Sequence, residues 1–564
     1  MLVYNTRTRK KEELVPIEDG KIRMYVCGPT VYDQIHIGNA RTFLSFDVIR
    51  RYLMYKGYAV TFAQNLTDVD DKIINRANEQ GRTAAEVADE CSAAFIEQMH
   101  RFGIMDPDVR PRATREIEAM QEMISRLIER GHAYAVPSGD VYFSVRSDPS
   151  YGILSGRSLD QMRAGERVEV NDEKRDPFDF ALWKAAKPGE PSWPSPWGDG
   201  RPGWHTECCA MIHRYLGCPI DIHGGGADLV FPHHENETAQ AMCAWDSALA
   251  NTWMHSGMLR VDGEKMSKSL GNFYTLKEVL DRYPADAVRL LMLQTHYRAP
   301  LDFSFERLDG VQGTYERLVT CVRNLRWAAD RAPQDGMLNE ADRVLGRAID
   351  GAREEFCRQM DDDFNTAGGL AAIFSLVTAS NTYLSDAAGD TSTAVCLRAA
   401  DMLCELAGVM GVELPRSSDD GSDGLPAGLV DLAREQAGYE GSSPAEAAEA
   451  LLAARQQARA AKDWGRADVI RDGIAGLGLA IEDTAPPAQQ GVADGTQPGT
   501  FRGRARPAGP GPGGLSPGTG QGPGPARPAG PPPGPRAGAR RPGAPCAAAG
   551  RPGPSGRPPR RRPP

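Results

Sequence analysis

The chain has 564 residues, 41% of them hydrophobic, so it is too long for a single core and predicts several domains. No run of about eighteen apolar residues occurs and the first residues lack an apolar stretch, which argues against a membrane protein and favours the cytoplasm. The net charge of −10 includes twelve arginines and no acid in residues 501–564, so the rest of the chain, at roughly −22, needs local basic patches to hold any polyanion.

Residues 1–120 are predicted to form the first half of an α/β nucleotide-binding domain. Residues 23–27 are apolar and rich in β-forming side chains, residues 40–56 have helical spacing of apolar residues, and residues 59–62 form a second predicted strand. A strand, a helix and a strand in this order predict a βαβ unit with a parallel sheet.

The pattern changes over residues 121–202, where short strands alternate with turns rich in proline and tryptophan. We interpret this region as an insertion between two halves of the nucleotide-binding domain. The second half is expected over residues 203–255, with a strand at 220–223, a tight turn at Gly224 to Gly226 and a helix over 235–244.

The C-terminal part is predominantly helical. Residues 256–304 are expected to carry a basic loop and short helices, and residues 305–415 have the apolar spacing of a helical bundle. Residues 416–440 are predicted to be a polar linker and residues 441–487 a small helical domain. Residues 488–564 are dominated by Pro, Gly, Ala and Arg and are expected to be disordered, with no essential role.

Two distant motifs have the chemistry of phosphate binding. His36-Ile37-Gly38-Asn39 follows the first predicted strand and opens a helix, and Lys265-Met266-Ser267-Lys268-Ser269 places two ammonium groups and two hydroxyls on a loop bounded by Gly271. A basic loop alone is more often a solvated surface. Two such motifs in one α/β domain indicate nucleotide chemistry.

Eleven cysteines without regular spacing predict reduced core thiols rather than a disulfide framework. Cys27 ends the first strand, Cys208 begins the second half, and His233 and Glu237 are four residues apart on one predicted helix face. Thiolate, imidazole and carboxylate are all zinc ligands, although lone cysteines usually belong to a core. The spacing leaves open four neighbouring candidates: His205, Cys209, His234 and Glu235.

The segments around these residues resemble the class I aminoacyl-tRNA synthetases and, within that class, the cysteinyl-tRNA synthetase family. The two motifs and four further segments carry the resemblance, which runs from residue 1 to about Thr484: residues 24–33, 65–72, 203–208 and 231–237. It implies a Rossmann-type α/β catalytic domain with an insertion, followed by an α-helical bundle and a small C-terminal domain that bind tRNA and its anticodon. A monomer is expected.

The resemblance implies that Cys27, Cys208, His233 and Glu237 hold one zinc ion per chain. Serine and cysteine are nearly isosteric, and pocket shape alone separates such substrates by only about ten- to two-hundredfold. Zinc binds a thiolate far better than an alcohol, which gives a basis for selecting cysteine. Four residues are expected to complete the amino-acid pocket, with the tryptophan as an apolar wall: Gly28, Thr67, Trp204 and Asp228.

The implied reaction joins the carboxylate of L-cysteine to the α-phosphate of ATP, releases pyrophosphate with Mg²⁺ on the leaving phosphates, and then transfers cysteine to the 3′ end of tRNA(Cys). The residues expected to bind ATP are His36, Gly38, Asn39, Lys265, Ser267 and Lys268. Of these, both lysines, His36 and Asn39 are expected to be catalytic, through charge stabilisation. Asn39 replaces the second histidine of the usual signature, so that donor is neutral.

Two further interpretations concern nucleic acid and function. Trp464 is surrounded in sequence by four cations, which suits stacking on an unpaired anticodon base but also suits an anchored solvated helix; these cations are Arg455, Arg459, Lys462 and Arg466. Residues 110–112 are candidates for tracking the acceptor strand. The alternative function is the tRNA-independent ligase that joins cysteine to glucosaminyl-inositol in mycothiol biosynthesis, which lacks a helical anticodon region such as residues 305–484.

Overall fold

A computed structural model of the chain describes residues 1–158, 173–266, 272–332, 338–386, 391–416, 428–477, 479–481 and 501–503. Only the backbone is described for Lys265, for Ala445 and for the last two ranges. Among the helices of these ranges, none is both long and apolar enough to cross a membrane.

The secondary structure of the described ranges alternates between strands and helices up to the basic loop and is mainly helical beyond it. In chain order the strands are β1 Leu2–Asn5, β2 Lys10–Glu13, β3 Lys21–Val26, β4 Ala59–Gln64, β5 Ala133–Ala135, β6 Val141–Phe143, β7 Phe180–Ala185, β8 Gly200–Pro202, β9 Ile220–Gly226, β10 Ala250–Ser256, β11 Leu259–Val261, β12 Glu264–Lys265, β13 Leu301–Phe303, β14 Leu479–Ile481 and β15 Phe501–Gly503. The α-helices are α1 Ile37–Tyr55, α2 Asp71–Gln80, α3 Ala84–Arg101, α4 Ile117–Glu129, α5 Trp204–Leu216, α6 Glu235–Trp245, α7 Leu276–Leu280, α8 Ala285–Leu293, α9 Phe305–Arg331, α10 Glu340–Met360, α11 Thr366–Asp386, α12 Thr393–Val409, α13 Gly428–Ala437, α14 Pro444–Ala460 and α15 Trp464–Gly476.

Residues 1–304, which are expected to carry catalysis and are called the catalytic half from here on, contain a parallel four-stranded sheet in the order β10, β9, β3, β4. Helix α1 makes the crossover from β3 to β4, as the βαβ pattern predicts, and β9 pairs with β3 although about two hundred residues separate them in the chain. The carboxyl ends of these parallel strands meet at one edge, which is where α/β folds bind ligands. This arrangement, with a helical region after it in the chain, confirms the predicted fold class.

The predicted turn at Gly224 to Gly226 is wrong. These glycines continue β9 and pair with β10, from Met254 to Ser256. The physical reason is close packing, because a Cβ atom at Gly224 would lie 2.3 Å from the ring of Phe46 on α1. Glycine is needed here for the approach of a helix to a strand, and not for a change of direction.

The insertion forms an antiparallel sheet in the order β5, β6, β7, β8, whose last strand leads directly into α5. The aromatic side chain of Trp183 in β7 is fully buried in it. A second small sheet, in the order β12, β11, β13, follows β10 and carries the backbone of Lys265. The basic loop therefore starts from β12, a strand that is hydrogen-bonded to β11.

Helices α9 to α12 form the bundle, and one continuous hydrophobic core joins it to one face of the central sheet through α1 and α8. Helices α13 to α15 have a separate small core. Helix α13 begins at Gly428, inside the range predicted as a linker, so the small domain starts earlier than expected. Strand β15 lies in the range expected to be disordered, and its antiparallel pairing with β14 satisfies backbone groups that composition alone leaves unpaired.

Candidate active site

The sheet edge brings together four side chains from three distant stretches of the chain. Cys27 follows β3, Cys208 lies in the first turns of α5, and His233 and Glu237 flank the start of α6. Their ligand atoms all lie within 4.8 Å of one another, and all four side chains are buried. The residues predicted as zinc ligands therefore converge in the fold.

Individual contacts show how closely the four groups approach. The Cys27 thiol donates to Cys208 Sγ at 3.6 Å and lies 3.7 Å from Glu237 Oε1. The same carboxylate oxygen is 2.8 Å from His233 Nε2. Two sulfurs, one imidazole nitrogen and one carboxylate oxygen around a common point match the donor set and number of a tetrahedral zinc site.

The electrostatics favour the ionised form of Cys208, His233 and Glu237 in spite of burial, whereas burial raises the pKa of the Cys27 thiol. The hydrogen bond from Cys27 lowers the pKa of Cys208 to about 6, against the opposing effect of burial. Burial acts to lower the pKa of His233, but Glu237 and Cys208 outweigh it and raise the pKa to about 10. A thiolate and a carboxylate held around an imidazolium are the arrangement in which a cation can replace the proton, since metal binding releases protons from its ligands.

A second set of possible ligands shares two members with the first. His223 and His234 join Cys27 and Glu237 within the same 4.8 Å limit. His234 Nε2 lies 3.3 Å from Cys27 Sγ, and His223 Nε2 lies 2.7 Å from Glu237 Oε2. This set has one sulfur, whereas the set with Cys208 has two, and soft thiolates favour zinc.

The alternatives that the sequence left open separate in the structure. His205 contacts the far side of His233, with 3.0 Å between the two Nδ1 atoms. Cys209 Sγ donates to the backbone oxygen of Glu237 at 3.5 Å and belongs to the core. The Glu235 carboxylate accepts from backbone N–H groups of the insertion, including Ser155 at 2.6 Å. Of the four candidates, only His234 joins a ligand set.

Three of the four residues predicted for the amino-acid pocket border this cluster. Trp204 stacks on His233, with ring centroids 4.3 Å apart and planes inclined by 21°. Thr67 Oγ1 donates to Glu207 Oε2 at 2.7 Å. The Gly28 N–H donates to Asn65 Oδ1 at 2.8 Å. The fourth, Asp228, is exposed on the short helix Ala227–Leu229 that follows β9, and its role stays a prediction.

The first signature motif lies at the start of α1, where Met266 of the second motif approaches it. His36 caps this helix, since its Nδ1 accepts from the Asn39 N–H at 3.1 Å. A Cβ atom at Gly38 would lie 3.4 Å from Met266 Cε, so the second motif begins beside the first. Ser267 and Lys268 lie outside the described residues, as does the side chain of Lys265.

Sequence reasoning missed two of the three buried histidines behind the cluster, which we call the histidine wall: it named His234 as a candidate but not His223 or His255. His234 Nδ1 lies 2.8 Å from His255 Nε2, and His255 Nδ1 lies 2.8 Å from Thr6 Oγ1. Burial lowers the pKa of His255 to about 3, so this imidazole is neutral. His223 is the last polar residue of an apolar strand and His255 lies near the end of another, which is the signal that marks groups at a carboxyl sheet edge.

Comparisons with known proteins identify three domains in the chain. Residues 13–313 match the family described as tRNA synthetases class I (C) catalytic domain, residues 355–415 match the DALR domain, and residues 444–490 match the cysteinyl-tRNA ligase anticodon binding domain. In fold, the chain is similar to the Mycobacterium tuberculosis methionyl-tRNA synthetase in complex with methionyl-adenylate, with a TM-score of 0.54 and 18% identity over 69% of this chain and 89% of that one.

Similarity in sequence extends over most of the chain. The cysteine–tRNA ligase of Symbiobacterium thermophilum is 48% identical, with 86% of this chain and 97% of the relative covered. That of Nitratidesulfovibrio vulgaris is 47% identical, with 86% and 98% covered. Since the catalytic match spans the sheet and the buried Cys/His/Glu cluster and the relatives are covered nearly from end to end, the chain belongs to the cysteine–tRNA ligase family of class I aminoacyl-tRNA synthetases.

Proposed function

We propose that this enzyme activates L-cysteine with ATP and Mg²⁺, releasing pyrophosphate, and transfers cysteine from the adenylate to the 3′ end of tRNA(Cys), as a cytoplasmic monomer. The observation that carries the proposal is the buried cluster of Cys27, Cys208, His233 and Glu237 at the sheet edge, in the same domain as both signature motifs. A site built from sulfur ligands suits a substrate whose side chain is itself a thiol.

The four cluster residues are proposed to hold one zinc ion per chain. When bound, zinc supplies an acceptor for the sulfur of cysteine and favours its thiolate over the hydroxyl of serine. His205 holds the ring of His233 from behind through the 3.0 Å contact between their Nδ1 atoms. The ligand orientation is thus set before the substrate arrives, as outer contacts do in metal sites.

The pocket residues are proposed to orient the rest of the amino acid. Trp204 covers His233 with its ring plane and forms an apolar wall that keeps water away from the cluster. Thr67, already hydrogen-bonded to Glu207, and Asp228 are assigned to the amino and carboxyl groups. Gly28 leaves room against the backbone, because a Cβ atom there would lie 1.7 Å from the oxygen of Asn65.

The phosphates of ATP are assigned to the start of α1 and the basic loop. His36 and the neutral donor Asn39 contact the phosphates, and Gly38 lets the nucleotide approach the backbone. Lys265 and Lys268, with Ser267 between them in the loop, stabilise charge that develops as pyrophosphate leaves. No protein nucleophile is required, since the substrate carboxylate attacks directly.

The small C-terminal domain is assigned to the anticodon. Trp464 begins α15 with 58% of its surface exposed, and Asp463 caps the helix beside it. An exposed indole next to Lys462 and Arg466 suits stacking on an unpaired base. The match of residues 444–490 to an anticodon binding domain supports tRNA as the acceptor in place of glucosaminyl-inositol.

The test is pyrophosphate exchange followed by transfer. We expect exchange that depends on cysteine, that is absent with serine at the same concentration, and that is lost when enzyme freed of zinc by a chelator is assayed with Mg²⁺ present. Cysteine should then appear on tRNA(Cys) and not on glucosaminyl-inositol. Exchange with serine at a comparable rate would contradict selection by sulfur, and product on the sugar amine would favour the alternative ligase.

A further inference from the structure

Arg41 is an arginine buried in the first turns of α1, with 1% of its surface exposed. All four of its described hydrogen bonds go to backbone carbonyls. Nη1 donates to the oxygens of Gly257 at 2.9 Å and Met258 at 3.0 Å. Nη2 donates to those of His296 at 3.3 Å and Ala299 at 2.6 Å. One guanidinium therefore joins two separate segments of backbone.

Both segments lead into the small sheet that carries the basic loop. Gly257 and Met258 connect β10 to β11, and His296 to Ala299 precede β13. Strand β11 pairs with β13 on one side and with β12, which contains Lys265, on the other. Arg41 thus fixes the starting points of both strands that support the entry to the loop.

The described hydrogen-bond partners of the Arg41 guanidinium are all backbone carbonyls, and none of them is a carboxylate. Arg289, also fully buried, differs because it donates to the Asp47 carboxylate at 2.6 Å besides three backbone oxygens. Burial lowers the pKa of Arg41 to about 10, so the side chain is still protonated at neutral pH. A buried cation without a carboxylate costs desolvation energy, and its planar fork of donors is suited to fixing geometry.

Two neighbouring contacts strengthen the link between α1 and these two backbone segments. Thr42 Oγ1 lies 2.7 Å from Ser256 Oγ, and the Gly257 N–H donates to the oxygen of Tyr297 at 2.7 Å. A Cβ atom at Gly257 would lie 2.5 Å from the backbone oxygens of both Arg298 and Ala299. The two segments approach so closely that only glycine fits between them.

The chain that follows the basic loop returns to the same helix. The Ile37 N–H donates to the oxygen of Tyr274 at 3.1 Å, and the Leu276 N–H donates to that of Ile35 at 3.0 Å. The strand entering the loop and the segment leaving it are therefore both tied to the start of α1, where His36 and Asn39 lie. Arg41 provides the tie on the entry side.

We propose that Arg41 is a positioning residue that fixes strand β12, which enters the basic loop, relative to the start of α1, and thereby sets the rate of adenylate formation. This inference rests on the proposed function, because that function assigns the basic loop and the start of α1 to ATP. The described hydrogen bonds of the Arg41 guanidinium all go to backbone oxygens, and none goes to a residue of the Cys/His/Glu cluster. Its loss should slow the chemical step while leaving cysteine recognition in place.

The main comparison is Arg41→Lys against Arg289→Lys, two changes that each keep the charge and remove a buried fork. We expect Arg41→Lys to lower the rate constant of pyrophosphate exchange by about 10- to 100-fold, since displacements near 1 Å in a reacting geometry have that effect. The KM for cysteine and the zinc content should change by less than about twofold. Arg289→Lys should lower the melting temperature without this separation of rate from KM.

A second variant alters the contact between the same two backbone segments without changing any charged residue. Gly257→Ala forces the two segments apart, so we expect the same fall in rate with cysteine KM and zinc content kept, and it decides the matter if Arg41→Lys does not fold. Rates that follow only the folded fraction in both variants, as in Arg289→Lys, would overturn the inference. A wild-type chain without cysteine-dependent exchange would instead overturn the proposed function, and this inference with it.

Discussion

Cys208 and Cys209 are adjacent buried thiols that face different surroundings. Cys208 Sγ accepts from Cys27 at 3.6 Å inside the cluster, whereas Cys209 Sγ donates to the backbone oxygen of Glu237 at 3.5 Å. Both have under 3% of their surface exposed, at 2% and 0%. They form a matched pair, because the same replacement tests membership of the metal site at one position and core packing at the other.

We expect Cys208→Ser to lose most of its zinc and to raise the KM for cysteine by at least about tenfold, because a hydroxyl is a poor substitute for a thiolate ligand. Cys209→Ser should keep one zinc ion per chain and lose only stability, through the buried hydroxyl. Metal analysis and pyrophosphate exchange measure both effects. Equal loss of zinc in the two variants would contradict the assignment of the ligand set.

The four predicted ligands converge because each sits where a local signal places it, at a strand end or a helix start. His223 and His255 also lie near strand ends, but their contact with His234 could not be found in this way. His223 and His255 come from different strands, and they become neighbours of His234 only through the parallel pairing of β9 with β10. Register between distant strands is a tertiary property, so composition and spacing around each histidine carry no trace of it.

At the scale of elements, α1 determines the geometry of the site, because its start carries His36 and Asn39 and its middle packs on β9. Phe46 occupies the space over Gly224, where a Cβ atom would lie 2.3 Å from the ring. The helix can approach the strand closely only because that position lacks a side chain. The distance from α1 to the sheet therefore depends on one glycine and one aromatic ring.

Gly224→Ala should destabilise the protein by about 1–3 kcal/mol, the usual cost of overpacking a dense core. The double variant Gly224→Ala with Phe46→Leu should recover part of that loss, since the smaller side chain makes room. Chemical denaturation of the two single variants and the double variant measures the coupling. Additive losses would show that the ring and the glycine do not share this space.

The bounds of helices and strands show how far local sequence predicts structure. The predicted helix over residues 40–56 corresponds to α1, Ile37–Tyr55, because apolar periodicity is a property of consecutive residues. The three glycines of β9 also gave a clear local signal, for a turn, and the signal misled. Turn chemistry and close approach of a helix both call for glycine, and only the position of Phe46 in three dimensions distinguishes them.

At the scale of the whole molecule, one turn ties the catalytic half to the bundle. Asp363 lies between α10 and α11 and is fully buried. Its carboxylate accepts from the backbone N–H of Tyr4 in β1 at 2.9 Å, from the Tyr297 hydroxyl at 2.9 Å and from Arg298 Nε at 2.8 Å. Two segments far apart in the sequence thus converge on a carboxylate from a third, and one of them, residues 297–298, belongs to the segment that Arg41 holds.

Replacing Asp363 should therefore weaken the molecule far more than replacing its neighbour. Asp363→Asn keeps the shape of the side chain and the positive φ of 63°, which asparagine tolerates. It removes the buried negative charge that pairs with Arg298. We expect a loss of about 3–5 kcal/mol in the free energy of unfolding. Asp362 pairs with Lys11 at the surface, with 56% and 37% of these side chains exposed, so Asp362→Asn should cost no more than about 1 kcal/mol. Urea denaturation compares the two, and equal losses would show that Asp363 does not join the catalytic half to the bundle.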